Sequence, residues 1–439
     1  MLVPHDMNGQ TVGVLGLGGS GIAAVAALRA AGAHVVAFDD GKYQQDLQAI
    51  QMTDWRDWPW QDMAAMVISP GIPHLHPKPH PAAAHANSLQ IDVISEVELA
   101  LRAKPQAKLV VVTGTNGKST TTALIGHCLA TAGRAHAIGG NLGDPACSLD
   151  DPGKDGVLVL ELSSYQLETT PSLAPDISIL LNISPDHLDR HGGMNGYIAA
   201  KAVVLDRLGA DCLAIIGDGD EHVKALAAAT RKRGIKTMIA SPDDAPDAQR
   251  HSASLAGLHN AENAAAAAFA LAALGLDMAM INRGVKSYSS LPHRLQTVAR
   301  CGKIQFVNDS KATNGVAAAK ALSAFDDIYW VAGGLAKQDG LAPAMQYLGA
   351  VKKAYLIGTA AAEFAKSLDG QCPAAICGDL EKATRAAFDD ASAAIDGGTI
   401  LLAPAAASFD QFTSFGARGD AFAALAENLC ATTAGGNHA

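Results

Sequence analysis

The segment of this 439-residue chain best suited to chemistry is GTNGKST at residues 114–120, which directly follows an apolar run. Glycines at 114 and 117 let backbone N–H groups point into one concavity beside a helix N-terminus, an arrangement that binds phosphate oxygens. Lys118 can reach the terminal phosphates of a nucleotide, and the Ser119 hydroxyl can ligate Mg²⁺. The usual spacing places a glycine at position 112, where this chain has Val112, so the loop is a shortened variant. The alternative interpretation is an ordinary glycine turn between strand and helix.

Polar side chains follow two further apolar runs. Glu161 ends the run 157–161, and Asp186, His187 and Asp189 follow the run 177–183. The carboxyl ends of parallel strands lie at one edge of a sheet, where a carboxylate can ligate Mg²⁺. On its own, His187 is equally well explained as a loop histidine bonded to its neighbours. Two strand ends directed at one phosphate loop favour a metal-ligating role.

A second glycine-rich turn lies near the N-terminus. Gly16, Gly18 and Gly21 form G-x-G-x-x-G between a predicted strand and helix, and Asp39 follows about 20 residues later, which is the dinucleotide-binding pattern. The pattern alone favours NAD. A tight turn and a helix N-terminus bind any diphosphate, however, so a UDP-linked substrate fits equally well. The turn at Ser69 is suited to lining the same pocket, or is an ordinary loop.

These segments require strands that alternate with helices. Apolar runs at 11–16, 34–38, 65–69, 109–113, 157–161, 177–183, 328–332, 354–358 and 399–403 are separated by alanine-rich helical stretches, which indicates parallel sheets covered on both faces. We predict an α/β protein with three domains: a Rossmann-like domain over 1–101, a P-loop ATPase-like central domain over 102–291 and a Rossmann-like domain over 292–439.

Composition excludes several other classes. The net charge of −10 argues against a general nucleic-acid binder, because phosphate attraction needs a basic face. The longest apolar run, residues 264–276, is too short to span a membrane. The N-terminus lacks a basic start and an unbroken apolar segment, and the seven cysteines are scattered. We therefore expect a cytoplasmic, monomeric protein with no membrane span.

Together these motifs resemble the Mur ligase family of ATP-dependent amide-bond-forming enzymes, with landmarks from Gly16 to Arg418. GTNGKST matches the family's ATP loop, and NDSKATN at 308–314 resembles the member that adds D-glutamate. The resemblance implies ligation of D-glutamate to UDP-N-acetylmuramoyl-L-alanine through an acyl phosphate, in peptidoglycan precursor synthesis. It implies ATP and two Mg²⁺ ions as cofactors, with Lys201 carbamylated by CO₂. Without the resemblance, Lys201 would be interpreted as a solvated helix lysine.

The resemblance also implies site residues. Lys118, His187 and Lys201 would be catalytic, and the metal ligands would be Ser119, Glu161, His187 and Lys201. ATP would be bound by Gly114, Thr115, Asn116, Gly117, Lys118, Ser119, Thr120, Asn260, Asn263, Arg294, Asp309 and Lys311. The UDP-substrate would contact Gly19, Ser20, Asp39, Ser69, Gly71 and Asn141, and the glutamate Thr313, Lys337, Ser408 and Phe415.

Two features depart from the family pattern. Ala403 stands where a serine is usual, and Leu335 and Ala336 replace smaller or polar residues before the pocket lysine. Three alternatives remain open: a nucleotide-dependent dehydrogenase, another amino-acid ligase of the same family, and a non-catalytic nucleotide-binding module. The dehydrogenase leaves residues 114–120 without a role, residues 308–314 argue against another ligase, and two metal sites are unnecessary for binding alone.

Overall fold

A computed structural model describes residues 1–41, 51–52, 54–289, 291–336 and 340–435. In this part of the chain, helices flank three large sheets, and each sheet lies within one of the three predicted segments. The chain divides into two compact units, and the exact boundaries of the three predicted domains stay a prediction. Met1–Gln249 and Glu262–Ser287 form the first unit, and Arg250–Ala261 and Tyr288–Ala439 form the second.

The N-terminal sheet is parallel in the order β3-β2-β1-β4-β5. Its interior strand β1 is almost wholly buried, as expected for a strand covered on both faces. Gly21 must be glycine, because a Cβ there would lie 1.9 Å from the Gly16 carbonyl oxygen. The elements are β1 (Thr11–Leu15), α1 (Gly19–Ala30), β2 (His34–Phe38), β3 (Gln51–Met52), β4 (Met63–Ile68), α2 (Pro81–Ser88), β5 (Asp92–Ile94) and α3 (Glu96–Arg102).

The central sheet is parallel in the order β11-β10-β9-β6-β8-β7, so the strand preceding the phosphate loop is interior. Its strands and helices are β6 (Lys108–Thr113), α4 (Lys118–Thr131), β7 (His136–Gly140), β8 (Val157–Glu161), α5 (Ser164–Glu168), β9 (Ile177–Leu180), α6 (Met194–Asp206), β10 (Leu213–Gly217), α7 (Glu221–Lys232), β11 (Lys236–Ala240), α8 (Leu258–Ala273) and α9 (Met278–Ser287).

One core joins the first two sheets. A continuous cluster of buried apolar side chains runs from Leu2 to Ile235. Hydrogen bonds cross the same boundary: the buried Ser95 and Thr170 hydroxyls lie 2.7 Å apart, and the Ser172 hydroxyl donates to the buried Glu98 carboxylate at 2.7 Å. Shared apolar burial explains why the first two predicted domains form a single unit.

The third sheet has the order β12-β13-β18-β14-β16-β17, with only β12 antiparallel to its neighbour among the described strands. A short antiparallel pair, β15 and β19, lies beside it. The elements are β12 (Gln296–Cys301), β13 (Ile304–Asn308), α10 (Gly315–Leu322), β14 (Ile328–Gly333), β15 (Leu335–Ala336), β16 (Val351–Ile357), α11 (Ala361–Leu368), β17 (Ala374–Gly378), α12 (Leu380–Ala393), β18 (Gly398–Leu402), β19 (Ala406–Ala407) and α13 (Phe415–Gly435).

Two further features concern the chain as a whole. Cys301 and Cys430 form a disulfide between β12 and α13, a pairing that the scattered cysteine positions did not predict. No helix within the described ranges combines the length and hydropathy needed to cross a membrane.

Candidate functional site

The phosphate loop, residues 114–117, connects β6 to α4. Gly114 has a φ of +152° and Gly117 a φ of +88°, a region that side-chain-bearing residues rarely adopt. Asn182 fixes the loop, since its Oδ1 accepts the Asn116 N–H at 2.9 Å and its Nδ2 donates to the Asn116 carbonyl at 3.1 Å. The loop ends at the α4 N-terminus, where backbone N–H groups and the helix dipole attract anions.

Two lysine side chains meet at this loop. The Lys118 ammonium donates to the carbonyl oxygens of Gly114 and Thr115, each at 2.9 Å, and Lys201 donates to the same Gly114 oxygen at 2.8 Å. Complete burial, and secondarily the charge of Lys118, lowers the pKa of Lys201 well below its usual value, although Asp186 and Glu161 oppose the shift. Lys201 is therefore a buried lysine with an enhanced neutral-amine population, and not a solvated one.

Glu161 lies buried at the carboxyl end of β8. Asn141, which follows β7, donates from Nδ2 to Glu161 Oε1 at 2.7 Å, whereas Glu161 Oε2 is buried without a hydrogen-bond partner. A buried carboxylate oxygen without a partner carries a desolvation penalty that a cation would relieve. Together with the buried Ser119, this oxygen suits a hard divalent ion. Among the described residues, no group of three or more His, Cys, Asp or Glu side chains forms a metal-binding cluster.

The predicted ligand His187 directly precedes a short turn, Leu188–His191, which follows β9. It has a φ of +55°, which is uncommon outside glycine, and its ring lies 5.3 Å from that of Tyr165. Its Nε2 lies 3.5 Å from Asp186 Oδ2. The half-exposed imidazole of His187 and the carboxylate of Asp186 thus lie next to each other after β9.

A cavity of about 400 Å³ opens at the N-terminal sheet, and five of the six predicted UDP-substrate residues line it: Gly19, Ser20, Asp39, Ser69 and Gly71. The Asp39 carboxylate accepts the N–H groups of Leu17 at 2.6 Å and Gly41 at 2.8 Å, so it also fixes the glycine turn. Asn141 is not among the lining residues and lies against Glu161 instead.

Asp40 also lines this cavity, and the sequence analysis missed it. Its Oδ2 lies 3.0 Å from His80 Nε2, which places an ion-pairing carboxylate at the cavity wall. The available signal was the second acidic residue after β2. The dinucleotide pattern directs attention to the first one only.

In the second unit, the loops after β13, β14 and β18 meet at one sheet edge because these parallel strands are neighbours. Asp309 is half-buried there, and desolvation raises its pKa to about 7 against the opposing effect of Arg294. Lys311 Nζ lies 4.1 Å from the ring centroid of Phe415, a cation–π contact.

Of the predicted glutamate residues, Thr313 follows β13, Ser408 follows β19 and Phe415 is the first residue of α13. Lys337 lies outside the described residues. Of the predicted adenine contacts, Asn263 belongs to the first unit and lies beside Gly117, whereas Asn260 belongs to the second. Asn260 is buried and donates to the Ala256 carbonyl at 2.9 Å.

Arg418 organises this edge, a role that the sequence did not reveal. The side chain is buried, and its guanidinium donates to the Ser310 carbonyl at 2.9 Å and to the Ala406 carbonyl at 3.1 Å. It thereby ties the loop after β13 to strand β19. A lone arginine within the alanine-rich α13 was the only available signal.

Two domain-family models match the chain. Residues 112–252 match the Mur ligase middle domain, and residues 293–406 match the glutamate ligase domain of Mur ligases. Together the matches cover both the phosphate loop and the sheet edge organised by Arg418.

Similar full-length proteins share one description. The UDP-N-acetylmuramoylalanine–D-glutamate ligase of Caulobacter sp. (strain K31) is 42% identical, covering 98% of this chain and 98% of its own length. The ligase of the same name from Paramagnetospirillum magneticum is 44% identical, covering 96% of this chain and 97% of its own.

Solved structures share the fold at low identity. The UDP-N-acetylmuramate-alanine ligase MurC of Thermotoga maritima has a TM-score of 0.59 at 16% identity, covering 96% of this chain and 99% of its own. The MurF ligase of the same organism, in complex with ADP, also has a TM-score of 0.59, at 15% identity, covering 99% and 98%. These likenesses confirm the predicted three-domain α/β fold class.

Proposed function

We propose a function from one premise: the chain belongs to the Mur ligase family. It is an ATP-dependent ligase that joins D-glutamate to UDP-N-acetylmuramoyl-L-alanine during peptidoglycan precursor synthesis. The observation that carries this function is the full-length identity of 42% and 44% to relatives described as UDP-N-acetylmuramoylalanine–D-glutamate ligases. Since ATP and a UDP-sugar are its substrates, we assign the enzyme to the cytoplasm. We also propose that it acts as a monomer.

The reaction has two steps. The terminal carboxylate of the acceptor attacks the γ-phosphorus of ATP, the bond to the β-phosphate oxygen breaks, and ADP leaves. The glutamate amine, after losing a proton, then attacks the acyl carbon, and inorganic phosphate departs as the amide forms. The first step brings two anions together, so it needs local positive charge. Lys118 and the N–H groups at the start of α4 supply that charge at the phosphate loop.

The metal-binding residues form two sets in this proposal. Ser119 and Glu161 would hold one Mg²⁺, in keeping with the unpartnered Oε2 of Glu161, and His187 with carbamylated Lys201 would hold the second. When bound, the ions neutralise and align phosphate oxygens. His187 would be a poor base for the amine while it ligates a metal.

The environment of Lys201 supports its proposed carbamylation. CO₂ reacts with the neutral amine, forming an N–C bond and releasing one proton, so a lysine with a lowered pKa is the one that reacts. The product is an anion with carboxylate-like oxygens, which suits a hard cation where an ammonium would repel it. Burial at 2% exposure protects the carbamate from bulk water.

The three substrates would bind at separate places. The cavity beside Gly19 and Ser20 would hold the UDP portion, with its diphosphate at the start of α1. Asn141 would contact the acceptor from the central sheet. Thr313, Lys337, Ser408 and Phe415 would bind glutamate, and Asn260, Asn263, Arg294, Asp309 and Lys311 would contact ATP.

Phosphate release from ATP tests this function. Purified enzyme with Mg²⁺ is given UDP-N-acetylmuramoyl-L-alanine and, separately, D-glutamate, L-glutamate, D-aspartate or diaminopimelate. We expect phosphate and a new amide only with both the UDP-linked acceptor and D-glutamate. Phosphate release with diaminopimelate and with none of the other amino acids would indicate another member of the family. Oxidation of NADH without ATP would indicate a dehydrogenase.

A further inference from the structure

A buried histidine outside the predicted site lies where several of its parts meet. The side chain of His191, at the end of the turn Leu188–His191, is completely buried. Its Nδ1 lies 3.0 Å from Glu168 Oε1 and its Nε2 lies 2.9 Å from Ser164 Oγ, so both ring nitrogens contact α5. Because a carboxylate oxygen only accepts, Nδ1 carries the hydrogen in this pair.

The His191 ring lies between two tyrosines. It stacks on Tyr165 of α5, with centroids 5.3 Å apart and planes at 16°, and it contacts Tyr197 of α6 at 5.4 Å. The backbone packs equally closely, since a Cβ at Gly196 would lie 1.8 Å from the His191 carbonyl oxygen. The three rings therefore fix the spacing between α5, the turn and α6.

The far ring of this group reaches the phosphate loop. The Tyr197 hydroxyl lies 3.0 Å from Thr115 Oγ1, and Lys201 Nζ lies 4.8 Å from the centroid of the Tyr197 ring. Tyr197 is 2% exposed, so these contacts are direct contacts between buried side chains. A displacement of the His191 ring thus transmits directly to the loop and to Lys201.

The turn is also held from its other side. Arg190 lies 4.4 Å from the centroid of the Tyr165 ring and donates to the Gly71 carbonyl at 2.9 Å, at the rim of the UDP-substrate cavity. His187 directly precedes the same turn, in a left-handed conformation. Such a conformation persists only where surrounding contacts enforce it.

We propose that His191 is a positioning residue that holds the turn bearing His187, the Tyr197 ring and the phosphate loop in one arrangement through its paired hydrogen bonds to Glu168 and Ser164. It is not among the residues assigned to any of the three substrates. The effect of His191 on catalysis rests on the proposed function, whereas its effect on the packing of the turn and the phosphate loop does not.

The test separates hydrogen bonding from ring stacking. His191→Phe keeps an aromatic ring but leaves Glu168 Oε1 and Ser164 Oγ without this partner. Glu168→Gln keeps an oxygen that accepts from Nδ1, so it is the conservative variant. His85→Phe is the matched control, because His85 is an exposed ring of α2 that contacts Trp60 at 4.8 Å, away from the phosphate loop.

The first measurement is hydrogen–deuterium exchange of the protein without substrates. We expect peptides covering 184–193 and 114–117 to exchange about 10-fold faster in His191→Phe, with peptides from β1 unchanged. Glu168→Gln and His85→Phe should match the wild type. Wild-type exchange in a folded His191→Phe protein would overturn the proposal, and so would a uniform increase over the whole first unit.

The second measurement is steady-state ligation. We expect His191→Phe to lower kcat by about 10- to 100-fold with little change in the KM for glutamate, because a small misplacement of reacting groups slows the chemical step. Glu168→Gln should retain most of the activity. Unchanged kcat would show that His191 has no effect on catalysis.

Should His191→Phe fail to fold, Ser164→Ala removes one hydrogen bond alone. If Ser164→Ala did not speed the exchange of residues 184–193, that result would also contradict the proposal. A wild-type enzyme inactive with D-glutamate would refute the proposed function and leave the exchange result standing.

Discussion

The substitution Gly117→Ala tests the geometry of the phosphate loop, with Gly133→Ala as its matched control. Both glycines lie at the ends of α4 and both have positive φ, +88° and +68°. An alanine in this region costs roughly 1–2 kcal/mol at either position. The two positions differ in the atoms that an added side chain would meet. A Cβ at Gly117 would lie 2.2 Å from Asn263 Oδ1, whereas nothing lies within 4 Å of a Cβ at Gly133.

The shared backbone cost therefore cancels, and the difference reports the collision with Asn263. Asn263 is 4% exposed, so its side chain cannot swing into solvent, and the loop must shift instead. We expect Gly117→Ala to weaken ATP binding by about 10-fold or more, equivalent to ~1.4 kcal/mol, while Gly133→Ala leaves it within about 2-fold. Titration calorimetry with Mg-ATP measures the affinity, and thermal unfolding measures the common backbone cost.

A double-substitution cycle isolates the contact itself. In an Asn263→Ala background, Gly117→Ala should lower thermal stability no more than Gly133→Ala does, because the obstructing oxygen has been removed. Equal ATP affinity and equal stability of Gly117→Ala and Gly133→Ala in the wild-type background would refute the reasoning.

Further predictions concern titratable groups whose pKa values are shifted in the fold. Lys201→Ala should lower ligation by roughly 10³-fold, with partial recovery on adding formate or acetate; full activity in phosphate-release assays of the plain variant would remove Lys201 from the metal site. The pKa of Asp309 is raised from 3.8 to about 7, so the ionised carboxyl destabilises the fold and wild-type stability falls as pH rises from about 4 to about 7. Asp309→Asn should therefore gain stability over the wild type at pH 8, by at most ~4 kcal/mol, and not at pH 4, in thermal unfolding at both pH values. Burial lowers the pKa of His259 from 6.5 to about 3, so its neutral form is favoured in the fold and stability is lost as pH falls below about 6.5. His259→Gln should lose less stability than the wild type between pH 7 and pH 4; parallel curves would contradict this.

The fold class and the phosphate loop were predictable because their signals are local. An apolar run, a glycine turn and a helix are consecutive in sequence, and β6, the loop and α4 follow that order. Helix α4 begins at Lys118, because Gly117 adopts the left-handed conformation that caps it. The strand predicted over 177–183 ends at Leu180, where Leu181 and Asn182 turn to support the loop.

Features that depend on distant pairs were not predictable from one sequence. The Cys301–Cys430 pair is separated by 129 residues, and Arg418 acts on loops that precede it by up to 108. His191 looks like any loop histidine until the tertiary structure places α5 and α6 on its two faces. Asp40 was overlooked because the pattern that revealed Asp39 carries no information about cavity walls.

The most direct test follows oxygen atoms through the reaction. UDP-N-acetylmuramoyl-L-alanine is labelled with ¹⁸O in both oxygens of its alanyl carboxylate and ligated to D-glutamate by the wild-type enzyme with ATP, and the released phosphate is analysed by mass spectrometry. Transfer of the γ-phosphoryl group to the carboxylate predicts one ¹⁸O in each phosphate released and one retained in the new amide. Phosphate without ¹⁸O, formed together with the amide, would contradict the account.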